Sequence, residues 1–173
     1  MSGDGAIFGE ERADALDRRM MARALELAKQ AAAMGEVPVG AVVYRGEEIL
    51  GEAFNRREVD KDPSAHAEFL AIVAAAKRLG DWRLNACSLA VTLEPCPMCA
   101  GLIVNARVGR VVFGALDPKA GACTSLFAIT GDARLNHRAE VIGGVEAEAA
   151  GELLREFFRG RRGGDQIAKG PSC

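Results

Sequence analysis

The chain has 173 residues, of which 49% are hydrophobic and 27% charged, and its formal net charge is −2. That length suits one domain with a sizeable core, and a near-neutral balance does not by itself mark a nucleic-acid binder. No apolar run approaches the roughly 20 residues of a membrane span, and "MSGDGAIFGEERAD" has no basic and apolar signal-peptide pattern, so the expectation is a cytoplasmic protein with no membrane partner.

Residues 1–12, rich in Gly and acid, are expected to form a disordered tail ahead of a single domain over 13–162. From Ala13 the pattern turns helical, with Leu16, Met20, Ala24, Leu27, Ala28 and Ala31 on one face and Gly35 just past its end. "VGAVVY" and "EEILGEAF" read as a hairpin turning through Arg45-Gly46. "DPSAHAEFLAIVAAAKRLG" reads as a helix capped by Asp62 or Ser64 and closed by Gly80. "SLAVTL" and "RVVFGA" are short apolar strands of a covered sheet, with the helix "PMCAGLIVNA" between them. A connection over 117–138, long enough to be a lid, leads to the strand "EVIGG". The amphipathic helix "VEAEAAGELLREFFRG" follows, with Val145, Ala149, Leu153 and Phe157 in register. Residues 163–173 read as a flexible tail. Strands alternating with helices imply a sheet, partly parallel after the hairpin, with helices on both faces. Trp82 and Phe113 read as core.

The five cysteines are an odd number in a mid-sized chain, a usage that favours buried, metal-bound or catalytic thiols over disulfides. Cys87 and Cys123 sit in small or apolar runs and read as packing residues. Cys96 and Cys99 lie in "TLEPCPMC", downstream of His66 and Glu68 in "DPSAHAEF". Two thiols at i and i+3 share a helix face, and a helix N-terminus favours the thiolate. With His66 they make three ligands, the set of a catalytic zinc centre whose fourth position is left to water. Glu68, two residues from His66, would stand beside the metal as a proton shuttle. A redox dithiol would need no histidine, and a structural site would need a fourth ligand, for which His137 or Cys123 are the candidates. His137 otherwise reads as a loop hydrogen-bonder and Glu94 as a loop-orienting carboxylate.

The segments "GEVPVGAVV", "NRRE", "DPSAHAEF", "WRLNACSLAVTLEPCPMCAG", "RVVFGALDPKAGA", "NHRAEVIGGV" and "LLREFFRGRR" together resemble the bacterial tRNA-specific adenosine deaminase family, from about residue 20 to 162. That resemblance implies a three-layer α/β/α cytidine-deaminase-like fold with a central mixed five-stranded sheet. It also implies a homodimer with one Zn²⁺ per subunit, deaminating the wobble adenosine of a tRNA anticodon stem-loop to inosine. Carried over, it gives His66, Cys96 and Cys99 as zinc ligands, Glu68 as the proton shuttle, and Asn55, Ala67 and Asp117 as substrate-binding positions. Cys123-Thr124 stands where small residues, often glycine, are usual, and the 126–135 segment is less familiar. Both bear on substrate breadth.

The basic "REFFRGRR" end offers Arg159, Arg161 and Arg162 as candidate RNA contacts. One rival keeps the chemistry but acts on a free nucleobase or nucleoside of guanine or cytosine type. Another is a non-catalytic zinc-stabilised RNA-binding protein, to which an acid beside the metal would be useless.

Overall fold

The computed structural model describes residues 7, 8 and 10–165. Its strands are β1 (Ile7–Phe8), β2 (Gly40–Arg45), β3 (Glu48–Phe54), β4 (Ser88–Leu93), β5 (Arg110–Ala115) and β6 (Glu140–Gly143). Its α-helices are α1 (Ala15–Ala33), α2 (Arg57–Asp60), α3 (Ala67–Leu79), α4 (Pro97–Asn105) and α5 (Ala147–Asp165). The strands form one sheet in the order β1-β6-β5-β4-β2-β3. The β2–β3 hairpin and the β2–β4 pair are antiparallel, whereas β4, β5, β6 and β1 run parallel.

Alternation explains why the sheet is covered on both sides. Ala41 and Val43 of β2 enter one core cluster, and Val42 and Tyr44 enter the other. A strand apolar at every position needs a layer over each face. The first cluster lies under α3 and α4, the second under α1 and α5, giving three layers. Two glycines let the helices approach closely. A Cβ at Gly40 would stand 2.0 Å from the Ala24 carbonyl oxygen of α1, and one at Gly51 2.3 Å from that of Ala71 in α3.

The five expected strands all form, and a sixth is added. Ile7 and Phe8 pair in parallel with Ile142 and Gly143, and Glu10–Arg12 make a 3-10 turn. Ordered chain therefore begins inside the stretch expected to be a disordered tail, because the edge of β6 offers free backbone partners there. α5 continues to Asp165, past the expected domain end at 162. The remaining tail residues, 166–173, lie outside the described residues. Within α5, Ala150 is buried and Ala149 exposed, a one-residue shift of the inward face.

Two local expectations change. Asp62 does not cap α3; its Oδ1 accepts Ser64 N–H at 2.8 Å and the Ser64 hydroxyl at 2.7 Å, closing a turn before the helix. Trp82 is 52% exposed rather than core, with the Arg83 guanidinium 4.2 Å over its ring. Phe113 is fully buried, as expected.

Candidate active site

His66 and Cys96 hold the same place in two helices. Each is an N-cap residue with extended backbone, His66 for α3 at φ −77, ψ 148 and Cys96 for α4 at φ −75, ψ 172. Neither side chain caps its own helix. Both are thereby left free to point at a common space. Pro97 opens α4 where a missing N–H is harmless, and Cys99 lies one turn in, on the same face as Cys96.

The side chains converge. Cys96 Sγ is 3.6 Å and Cys99 Sγ 3.7 Å from His66 Nδ1. The three donor atoms lie within 4.8 Å of one another and could hold a metal ion. Cys123 and His137 do not join this group. Cys123 is buried in the core under α3 and α4, where burial pushes its thiol up to about 12. His137 Nε2 is 2.7 Å from the Val108 carbonyl, the loop hydrogen bond expected of it.

The electrostatics favour a cation among these donors. Hydrogen bonds from Cys99 and from His66 pull the Cys96 thiol down to about 4. Cys99 is raised because its S–H is held by Cys96 and because it is buried, and the hydrogen bond with Cys96 raises His66. A thiol so readily ionised, with two further donors against it, suits a cation at this point. Glu68, in the first turn of α3, is 4% exposed, and burial lifts its carboxyl to about 7.

His66, Glu68 and Cys96 line a cleft of about 210 Å³. The predicted substrate-binding positions Asn55, Ala67 and Asp117 line the same cleft. Val37, Val39 and Leu93 give it an apolar wall. Arg57, the first residue of α2, also lines it and is exposed. Sequence reasoning missed Arg57, because a four-residue helix leaves no periodic signal.

Glu94 ties the far wall together. Its carboxylate is 2% exposed and accepts backbone N–H groups from Asp117 (3.1 Å), Cys123 (3.2 Å), Thr124 (2.7 Å) and Ser125 (2.9 Å). The hydroxyls of Thr124 and Ser125 donate to it as well. Burial alone would raise its pKa, but these hydrogen bonds hold it below the usual carboxylate value. Its expected loop-orienting part follows from this geometry. The 117–125 segment is consequently fastened to the turn before Cys96 rather than hanging as an open lid. The two unusual residues both take part, Cys123 with its N–H and Thr124 with its N–H and hydroxyl.

The candidate RNA-contact arginines differ among themselves. Arg159 is exposed. Arg161 is exposed but donates to the Gly35 carbonyl at 2.7 Å and lies 4.8 Å over the Phe157 ring. The side chain of Arg162 lies outside the described residues. No described helix is long and apolar enough to cross a membrane.

Comparison with known proteins places this geometry. The family model for MafB19-like deaminases matches residues 16–162. A tRNA-specific adenosine deaminase of Bacillus subtilis is 50% identical over 143 residues, 83% of this chain and 89% of the relative. A solved structure from a study of A-to-I editing by tRNA:A34 deaminases superposes with a TM-score of 0.76 at 38% identity, over 79% of this chain and 99% of the other. A guanine deaminase from the same Bacillus superposes with a TM-score of 0.55 at 39% identity, over 57% of this chain and 63% of the other.

Proposed function

We infer the function from one premise: this chain belongs to the MafB19-like deaminase family, among the tRNA-specific adenosine deaminases. It is a hydrolytic deaminase. Its substrate is the adenosine at the wobble position of a tRNA anticodon, and its products are inosine and ammonia. The observation that carries this reading is the meeting of two thiols and an imidazole beside the buried carboxylate of Glu68, in one cleft.

The metal is zinc, one ion per subunit. A tetrahedral ion at roughly 2.0–2.1 Å from nitrogen and 2.3 Å from sulfur sets such ligands about 3.6 Å apart, and the separations from His66 Nδ1 are 3.6 and 3.7 Å. His66, Cys96 and Cys99 are the residues that would hold the ion. Zinc bound there supplies Lewis acidity that makes water a nucleophile near neutral pH.

Glu68 takes one proton from the attacking water and gives it to N1 of the purine ring, then passes the second, from the new C6 hydroxyl, to the departing amine. The C6–O bond forms and the C6–N6 bond breaks, so one water enters and one ammonia leaves. Asn55 and the backbone at Ala67 hold the flipped base, and the apolar wall of Val37, Val39 and Leu93 packs against it. Asp117 meets the ribose. Arg57 and Arg159 face solvent and are available to phosphates. The enzyme works as a homodimer in the cytoplasm, where its RNA is.

The test is to incubate unmodified tRNA with the purified protein and sequence it. A-to-G readout confined to the wobble position supports the reading. A second reading, a free guanine deaminase, is favoured by the superposition on the guanine deaminase, but that match covers much less of the chain than the tRNA-specific relatives do. Ammonia release from guanine with unaltered tRNA would replace the first reading by the second.

A further inference from the structure

Glu36 is a buried carboxylate for which the reaction above has no use. It is fully buried, in the turn between α1 and β2. A carboxylate removed from water needs strong donors or a cation beside it. Among the described residues Glu36 has two hydrogen-bond donors, both neutral, with the Arg56 guanidinium acting on it only through its charge. Its Oε2 accepts the side-chain amide of Asn55 at 3.1 Å, and its Oε1 accepts the backbone N–H of Val59 at 2.7 Å. The first donor belongs to a residue lining the cleft. The second lies in α2, whose Arg57 lines the cleft too. One buried anion therefore joins two parts of the substrate wall.

We propose that Glu36 is a positioning residue for the substrate, fixing the orientation in which the Asn55 amide is presented to the cleft. This deepens the reading above and rests on it. A side-chain amide carries a donor at one end and an acceptor at the other, and the two ends are nearly the same shape. A carboxylate only accepts, so the amide nitrogen must face Glu36. The Asn55 backbone N–H is bound to the Val39 carbonyl at 3.0 Å, which leaves rotation of the side chain as the remaining freedom, and Glu36 removes it. Oδ1 and the second hydrogen of Nδ2 are what remain for the substrate. The cleft at that point therefore meets the substrate with a donor and an acceptor fixed in place rather than with a freely turning amide.

The experiment compares the parent, Glu36→Gln, Asn55→Ala, Asn55→Asp and the doubles Glu36→Gln/Asn55→Ala and Glu36→Gln/Asn55→Asp. In nitrogen–proton correlation spectra of the parent, the Asn55 side-chain amide, assigned by its loss in Asn55→Ala, should be protected from exchange. Glu36→Gln, free to present either end of its own amide, should lower that protection. On an anticodon stem-loop RNA, Glu36→Gln should lower kcat/KM roughly 10- to 100-fold, the loss of a charge-assisted hydrogen bond, and chiefly through KM. In the Asn55→Ala background the same change should alter kcat/KM by less than about twofold, because the partner is already gone. Equal losses in both backgrounds, or an unprotected amide in the parent, would overturn the positioning role. Asn55→Asp sets two carboxylates against each other and should lower the melting temperature; adding Glu36→Gln should restore it. Asn55→Asp melting with the parent would overturn the contact itself. If the parent leaves the stem-loop unchanged, the RNA reading fails, while the amide spectra and the melting pair still decide the part played by Glu36.

Discussion

His66 Nδ1 lies 3.6 Å from Cys96 Sγ although 30 residues separate them, and each is the residue at which its helix begins. A helix start is well suited to hold a ligand: its backbone has just left the extended region, and its side chain is free when it does not cap. Two such starts, on α3 and α4, whose preceding strands β3 and β4 flank β2 in the sheet, make most of a metal site without any loop of their own.

The ligand assignment leads to a clear division among variants. Cys96→Ser and Cys99→Ser are expected to lose zinc and activity together, since a protonated hydroxyl is a poor zinc ligand. Metal analysis of the purified variants checks this. A full complement of zinc in either one would remove that cysteine from the ligand set.

Glu68→Gln should behave otherwise. The amide keeps the shape of a buried side chain that is 4% exposed but cannot accept and return a proton. Zinc content should stay at the parent level while deamination falls by roughly 10²–10⁴-fold or more. Measuring ammonia release beside metal content separates the two effects, and brisk turnover in the variant would sink the shuttle.

These four residues were legible in the sequence because the pattern is local: three-residue spacing on one helix start and two-residue spacing on another. The layers were legible too, since residues 41–44 of β2 and 89–91 of β4 are apolar on successive positions and demand cover on both faces. What stayed hidden depends on pairings with no sequence period. Glu36 reads as one more charge beside a glycine until Asn55 and Val59 are found against it. The strand at Ile7–Phe8 exists only because the edge of β6 receives it. Trp82 looked like core by its type, yet it sits in a turn where Arg83 covers its face. Local chemistry can be read from spacing, whereas a buried anion's partners cannot.

Far from the cleft, Asp17 of α1 offers a test of what holds the other face together. Its carboxylate is 1% exposed and accepts the Tyr44 hydroxyl at 2.6 Å and Arg110 at 2.7 Å. Burial, and then the hydrogen bond to Asp17, push the Tyr44 phenol well above its ordinary value. Asp17→Ala takes from the Tyr44 hydroxyl its acceptor and from Arg110 its nearest one, leaving the guanidinium the Arg12 carbonyl at 3.4 Å and the carboxylates of Asp14 and Glu140 at 3.8 and 3.7 Å, and is expected to cost about 2–3 kcal/mol of stability. Denaturant unfolding checks the loss. Zinc content at 25 °C should be unaffected, and a change in metal binding would mean that the two faces of the sheet are coupled.

The arginines of α5 separate by their surroundings. Arg161 donates to the Gly35 carbonyl and stacks on Phe157, so part of its hydrogen-bonding capacity is already taken up within the fold. The same contact sets the end of α5 against the turn that leads through Glu36 to Val37 in the cleft wall, which puts this helix within reach of an RNA seated there. Arg159 is exposed on that helix. If the anticodon stem runs past α5, Arg159→Ala should reduce the log–log salt dependence of RNA binding by about one unit, the release of one phosphate's counterions. Arg161→Ala should change that slope less and lower the melting temperature more, because it removes a contact internal to the fold. Binding isotherms for an anticodon stem-loop at several salt concentrations, read beside thermal melts of both variants, compare the two. An unaltered slope for Arg159→Ala would take α5 off the RNA surface, and equal slopes for both variants would show that Arg161 leaves Gly35 to meet the RNA.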